Sequence, residues 1–381
     1  IHSREEAVEF VREKSLESVR AHLVSDEPVG AFLSGGIDSS AVVSLMRKAG
    51  QSDIGTFCIG FEDEKYDESS YAGTVAELFE TRHVCHTMRE GDFRDCIDGF
   101  FKSMDQPTVD GLNTYIVSKL AHDNGYKVVT SGIGGDEVFG GYRRDFNKLP
   151  KLCNLLQKSG APSRALLRQL IQLGMRTGIA PAYYSRVVNY LSGPPTLARC
   201  LDMGRSLFSG SEIEKMFSDS AAGEQAAAFN GDAFLPELDD SLNRRDSVSC
   251  FLLSRFLGSQ LLRDSDNFSM AFSLELRTPL VDSVYYEALA QIRNESWFLE
   301  GDIGKSLFVD AVGDLPRSIT HRTKKGFTPP FQKWMQNVSF PLQSGYISEA
   351  FYEETLQAYR QGKALWSRVW MLIVLDRFLA S

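Results

Sequence analysis

Near the start of the chain, Val8, Val11, Leu16, Val19 and Leu23 recur at helical spacing. Ser3 and Glu6 stand ahead of them as a capping box, so the pattern predicts an opening helix. The period then changes. Residues 29–33 form an unbroken apolar run of strand length, which ends at Ser34-Gly35-Gly36 and passes into a helical pattern over 39–48. A second strand is predicted at 54–61, a helix at 68–80 and a short third strand at 83–87. Helical stretches near 92–104 and 114–124 lead to a fourth strand at 127–130. Strands and helices in alternation predict an α/β fold, a parallel doubly wound sheet with helices on both faces.

Beyond Pro150 the β-branched runs thin out. Residues 152–174 and 247–272 read as long helices, and 218–240, with its alanines and acidic residues, as a surface excursion. The expected division is an α/β domain over 1–150 and a mainly helical region over 151–381 packed on it.

Composition narrows the picture. The 381 residues are 43% hydrophobic and 24% charged, enough for one large or two ordinary domains with a real core. No apolar stretch reaches the roughly 20 residues a membrane span needs, and the charged first residues do not resemble a signal peptide. The chain starts at Ile1 without an initiator Met and reads as a piece of a longer protein. A net charge of −9 argues against a broad nucleic-acid surface, although not against a nucleotide, which needs only local donors. Cys58, Cys85, Cys96, Cys153, Cys200 and Cys250 form no C-x-x-C pair and read as reduced core thiols of a cytoplasmic protein.

The most informative segment joins the first strand to its helix: Phe32-Leu33-Ser34-Gly35-Gly36-Ile37-Asp38-Ser39-Ser40. Two glycines let backbone N–H groups approach an anion, and Ser34, Ser39 and Ser40 add hydroxyl donors. The helix start adds partial positive charge. Asp38 would repel a phosphate unless a bridging Mg²⁺ stood between them. The segment therefore reads as a pyrophosphate cradle with a metal ligand, at the carboxyl end of a parallel strand where such sheets bind ligands. A plain strand-to-helix turn capped by Ser or Asp is the bland alternative. No Walker lysine is present in it. Gly301-Asp302-Ile303-Gly304-Lys305-Ser306 imitates a Walker loop, but Leu299 stands where its first glycine would be.

A second glycine-rich turn follows the fourth strand: Ser131-Gly132-Ile133-Gly134-Gly135-Asp136-Glu137, continuing to Gly140-Gly141-Tyr142. Asp136 is positioned in sequence to be a second metal ligand opposite Asp38. A flexible loop with solvated charge is the alternative.

These two segments together resemble the asparagine synthetase family, within the pyrophosphate-loop superfamily. Three further elements agree in order and spacing. They are Asp105-Gln106-Pro107, the stretch from Asp266 through Ser269-Met270-Ala271, Glu275 and Arg277 to Asp282, and Lys324-Lys325-Gly326-Phe327 with Pro329. The resemblance implies an ATP-dependent, AMP-forming ligase. A carboxylate, aspartate by default, attacks the α-phosphate to give an acyl-adenylate and pyrophosphate, and ammonia then displaces AMP. It implies ATP and Mg²⁺ as cofactors, with the metal on Asp38 and Asp136. Leu33, Ser34, Gly35, Gly36, Asp38, Ser39, Ser40, Ile59, Ser131 and Gly132 match the nucleotide-holding positions. Lys305 matches a lysine that supplies positive charge, and Glu275 is the other catalytic candidate, with a scaffold pair to Arg277 as its alternative.

Two positions depart from the family. Ile133 stands where an acidic residue is usual, and Asn267 where arginine is usual. An altered carboxylate acceptor is therefore left open. A glutaminase half would begin with a nucleophilic cysteine, so that domain is expected either upstream or on a partner. The expected partners are a small carboxylate and ammonia, with a homodimer allowed and neither nucleic acid nor membrane. Two other functions remain: a synthetase-like cyclase of β-lactam or lasso-peptide type that uses the substrate's own amine, and a nucleotide-binding scaffold without turnover.

Overall fold

The computed structural model describes residues 1–177, 179, 184–228, 235–239, 241–300, 304–322, 328–336 and 340–381. Five strands form one sheet: β1 (Val29–Phe32), β2 (Gly55–Phe61), β3 (Arg82–Met88), β4 (Val128–Thr130) and β5 (Glu275–Arg277). Their order is β3-β2-β1-β4-β5, and each neighbouring pair is parallel. The four strands predicted from apolar runs are all present. The fifth escaped prediction, because three residues at a sheet edge with charge at both ends carry no strand pattern of their own.

Helices α1 (Arg4–His22), α2 (Ile37–Lys48), α3 (Ser69–Leu78), α4 (Glu90–Lys102), α5 (Leu112–Asp123) and α6 (Gly135–Phe139) accompany the first four strands. The opening cap is half of what the sequence predicts. Ser3 Oγ accepts the Glu6 N–H at 3.1 Å, but the Glu6 carboxylate takes the His2 N–H at 2.7 Å in place of that of Ser3.

Both faces of β1, β2 and β4 are covered, as the absence of polar alternation in these strands requires, whereas the edge strand β3 stays partly exposed. Adjacent residues of β2 enter different cores. Cys58 packs with Ala41, Val42, Ala72 and Val75 of α2 and α3, whereas Phe57 packs with Ala121 of α5, Tyr126 and Val129.

Two compact units divide the chain, and not at residue 150. The sheet unit comprises Ile1–Asp105, Asp110–Tyr142 and Leu252–Pro330; the other comprises Gln106–Val109, Arg143–Phe251 and Phe331–Ser381. The sheet unit takes in α7 (Leu262–Met270) and α8 (Ser306–Val312), along with β5 between them. The second unit is helical. The predicted helix over 152–174 is two helices, Leu149–Lys158 and Gly160–Arg176, broken at Ser159. Its core includes Trp370 stacked on Phe331, with ring centroids 5.4 Å apart. Within 218–240, Ser220–Ala228 is helical and residues 229–234 and 240 lie outside the described residues.

Strand order fixes where a ligand belongs. The chain runs outward from β1 to β2 and β3, then returns to place β4 on the other side of β1. Loops leaving the carboxyl ends of β1 and β4 therefore diverge from a shared crevice, the switch point of a doubly wound sheet.

Candidate active site

The first corner is Ser34-Gly35-Gly36. Leu33 extends the strand by donating its N–H to Phe57 O at 2.9 Å, and the chain turns immediately after it. Gly35 has φ +71°, and a Cβ there would stand 2.7 Å from the backbone nitrogen of Ala72 and the Cβ of Tyr71. Glycine is thus required on two counts. Gly36 caps α2 without a side-chain hydrogen bond, and the start of the helix brings its partial positive charge to this end of the sheet. The hydroxyls of Ser34 and Ser39 stand 3.1 Å apart, and Ser39 Oγ also donates to Gly36 O at 3.2 Å. Ser40 is fully buried.

The second corner lies against the first. A Cβ on Gly132 would stand 2.6 Å from both the carbonyl carbon of Asp38 and the N of Ser39. No larger residue could let the turn after β4 approach α2 this closely. Ser131 N donates to Arg277 O at 2.8 Å, which ties this turn to the carboxyl end of β5. Ile133 N donates to Ser131 Oγ at 3.3 Å.

Asp38 from the first corner and Asp136 from the second meet on one cation. The Lys305 ammonium bonds Asp38 and stands 2.6 Å from Asp136 Oδ1. Each carboxylate side chain is 16% exposed, and the lysine side chain 5%. Burial pulls the lysine pKa down, but the Asp136 and Asp38 charges outweigh it and hold the group at about 12. Lys305 is therefore a permanent cation at neutral pH. It sits at φ +58° in the left-handed region, directly before α8. Such a backbone conformation is held only where the surrounding structure enforces it.

Glu137, the neighbour of Asp136, is buried, and burial together with the Asp136 charge raises its pKa. Its Oε1 accepts the Tyr142 hydroxyl at 2.8 Å.

Ile59 is buried near the end of β2, two residues beyond the Leu33–Phe57 bond and therefore level with the first turn. Leu33, Ser34, Gly35, Gly36, Asp38, Ser39, Ser40, Ile59, Ser131, Gly132, Asp136 and Lys305 thus collect at one end of the sheet. Glu275 does not. It pairs with Val128 at the start of β5, the opposite end, is 58% exposed, and bonds Arg277 Nε at 2.7 Å. Arg277 in turn donates to His22 O and Val24 O. This placement favours the scaffold alternative for Glu275, with the pair joining β5 to the end of α1. Residues 301–303 and Lys324, Lys325, Gly326 and Phe327 lie outside the described residues.

One site residue was missed. Arg322 donates to both carboxylate oxygens of buried Glu68 and to Gly35 O at 3.1 Å, and lies 4.6 Å over the Tyr71 ring. It braces the carbonyl of the residue that makes the first turn. Its place two residues before the Lys324 element was the available signal.

Hard carboxylate oxygens brought together from two facing corners fit a magnesium ion better than any soft metal. The start of α2 and the two glycine turns, with the partial positive charge of a helix N-terminus, fit the phosphates that such an ion accompanies. Among the described residues, no helix is long and apolar enough to cross a membrane.

The sequence profile of the asparagine synthase family matches residues 11–376. A putative glutamine-hydrolyzing asparagine synthetase 2 of Methanocaldococcus jannaschii is 42% identical over 167 residues, 41% of this chain and 32% of the relative. Glutamine-hydrolyzing asparagine synthetase 1 of Bacillus subtilis is 25% identical over 96% of this chain and 58% of its own length. A putative glutamine-hydrolyzing asparagine synthetase of Mycobacterium bovis is 28% identical over 84% of this chain and 48% of its own. The chain thus spans less than two thirds of the length of each of these relatives.

Proposed function

The chain belongs to the asparagine synthase family, and we propose that it activates a carboxylate with ATP and converts it to an amide. The observation that carries this reading is the meeting of Asp38 and Asp136 on buried Lys305 at the crevice between β1 and β4. A substrate carboxylate oxygen attacks the α-phosphorus, the bond to the β-phosphate breaks, and pyrophosphate leaves. Ammonia then attacks the acyl carbon, AMP departs with the bonding electron pair, and the amine loses a proton to solvent.

The departing pyrophosphate gains charge, and this is where the corner acts. The α2 N–H donors and the Lys305 ammonium are fixed before the reaction and face that charge. Asp38 and Asp136 would hold a magnesium ion, which supplies further neutralisation of the β- and γ-phosphates. Lys305 stays protonated throughout, so its part is electrostatic and not that of a base. Leu33 and Ile59 offer an apolar wall for the nucleoside.

Aspartate is the default acceptor. Ile133 offers no carboxylate for proton handling, so a different acid is compatible with the site. Ammonia is the proposed nitrogen source; the relatives are named as glutamine-hydrolyzing, and a glutaminase elsewhere in the protein or on a partner would generate it. The six free cysteines suit a reducing compartment, and we place the protein in the cytoplasm.

The test is pyrophosphate release across a panel of carboxylates, with and without ammonium. Magnesium-dependent release with AMP as co-product is expected, and Asp38→Asn should abolish it. Release without ammonium, driven by a substrate carrying its own amine, would move the reading to a cyclase. Nucleotide binding with no turnover on any acid would leave a scaffold.

A further inference from the structure

A second group of reactive side chains, separate from the carboxylates and lysine of this corner, stands on β2 and the edge strand β3. β2 and β3 pair with Thr56 opposite His83 and Cys58 opposite Cys85. Alternation along a strand puts these four side chains on one face. The two sulfurs and a ring nitrogen of His83 lie within 4.8 Å of one another. Cys58 is buried, His83 is half-buried and Cys85 is exposed, so the group has a floor and an opening.

One ring nitrogen of His83 is engaged and the other is not. Its Nδ1 is 2.9 Å from Thr56 Oγ1, whereas its Nε2 is buried without a hydrogen-bond partner among the described residues. An Nδ1–H donated to Thr56 leaves the Nε2 lone pair bare, and outer partners of this kind fix the tautomer of metal-bound histidines.

We propose that Cys58, His83 and Cys85 form a zinc site with two thiolates and one imidazole as ligands and a fourth position open beside Cys85. Two soft sulfurs with one imidazole select zinc over the hard ions that suit the carboxylate corner. Donors around tetrahedral zinc stand about 3.5–3.8 Å apart, given Zn–S near 2.3 Å and Zn–N near 2.0 Å. With every separation under 4.8 Å, the three donors have to close by at most about 1 Å, within reach of thiol rotation. Binding forms two Zn–S bonds and releases two thiol protons to solvent. The ion would staple β3, an edge strand, to β2 beside Ile59 of the nucleotide wall.

The same sulfurs could instead join as a disulfide, and the experiment separates the two. Reduced protein is titrated with Co²⁺ under anaerobic conditions and then challenged with Zn²⁺. One equivalent of Co²⁺ should give a thiolate-to-cobalt charge-transfer band that Zn²⁺ abolishes. Cys85→Ser and His83→Gln, at the two less buried positions, should each remove the band while circular dichroism stays native. Thr56→Val should keep the band and weaken binding by about 10–100-fold. No band in the reduced wild type, or a band of equal strength in both ligand variants, overturns the proposal. So does isolation as a Cys58–Cys85 disulfide that takes up no cobalt after reduction.

Discussion

Phe308 stacks on Phe139 with ring centroids 4.4 Å apart and planes 14° from parallel. Both rings are fully buried. Phe139 ends α6, which begins beside Asp136, and Phe308 lies in the first turn of α8, which begins beside Lys305. The stack therefore sets the spacing of an ion pair that is itself too polar to define its own position in a core. Phe308→Leu keeps most of the volume and loses the ring contact, so the expected stability loss is about 1–2 kcal/mol. The kcat/KM for pyrophosphate release should fall by about tenfold or more, because displacement of a catalytic charge by about 1 Å can cost up to about 100-fold. A variant with lowered Tm and wild-type kcat/KM would show that the stack does not position Lys305.

Arg322 sits between a buried carboxylate and the first turn. Arg322→Ala leaves Glu68, 7% exposed, without its cation and frees the Gly35 carbonyl. Breaking a buried pair by removing one partner costs about 3–5 kcal/mol. The expected result is a marked fall in Tm and a raised KM for ATP. Arg322→Lys keeps the charge but not the fork, and should recover part of the stability with KM still raised. Equal KM in both variants and wild type would make Arg322 a structural residue alone.

Both glycine corners could be read from the sequence because each is a local event: a strand ends, glycines turn the chain, and a helix begins within a few residues. Asp38 and Asp136 inherit their placement from those turns. Nothing local says that Lys305 joins them, since that depends on α8 docking through Phe308, and family resemblance alone pointed to it. The position of Glu275 is non-local for the same reason. Its strand forms only by pairing with Val128, and a charged tripeptide gives no sign of which end of the sheet it will occupy. The compact units do not part at residue 150, because β5 and α8 return to the first unit from far along the chain, a long-range closure that periodicity does not encode.

If Glu275 is part of a scaffold, then Glu275→Gln should release pyrophosphate at the wild-type rate. Its bridge to Arg277 is largely solvent-exposed on the glutamate side, and such pairs contribute about 0–1 kcal/mol. A drop in kcat of tenfold or more, with Tm unchanged, would return Glu275 to the chemistry.

Lys305 predicts an alkaline signature. Burial lowers its pKa, but the two carboxylates raise it further, from the usual 10.5 to about 12. A cation whose pKa is higher in the folded state stabilises the fold fully below its unfolded value, and that contribution disappears as pH rises through the folded value. The difference in unfolding free energy between wild type and Lys305→Met should therefore be level from about pH 8 to about pH 10. It should then shrink by about 2 kcal/mol between about pH 10.5 and about pH 12, at roughly 1.4 kcal/mol per pKa unit. Other lysines and tyrosines titrate in both proteins and cancel in the difference. Chemical denaturation at several alkaline pH values measures it. A difference that stays level through pH 12 would mean that Asp38 and Asp136 do not hold the ammonium in solution, and the electrostatic role assigned to Lys305 would fall with it.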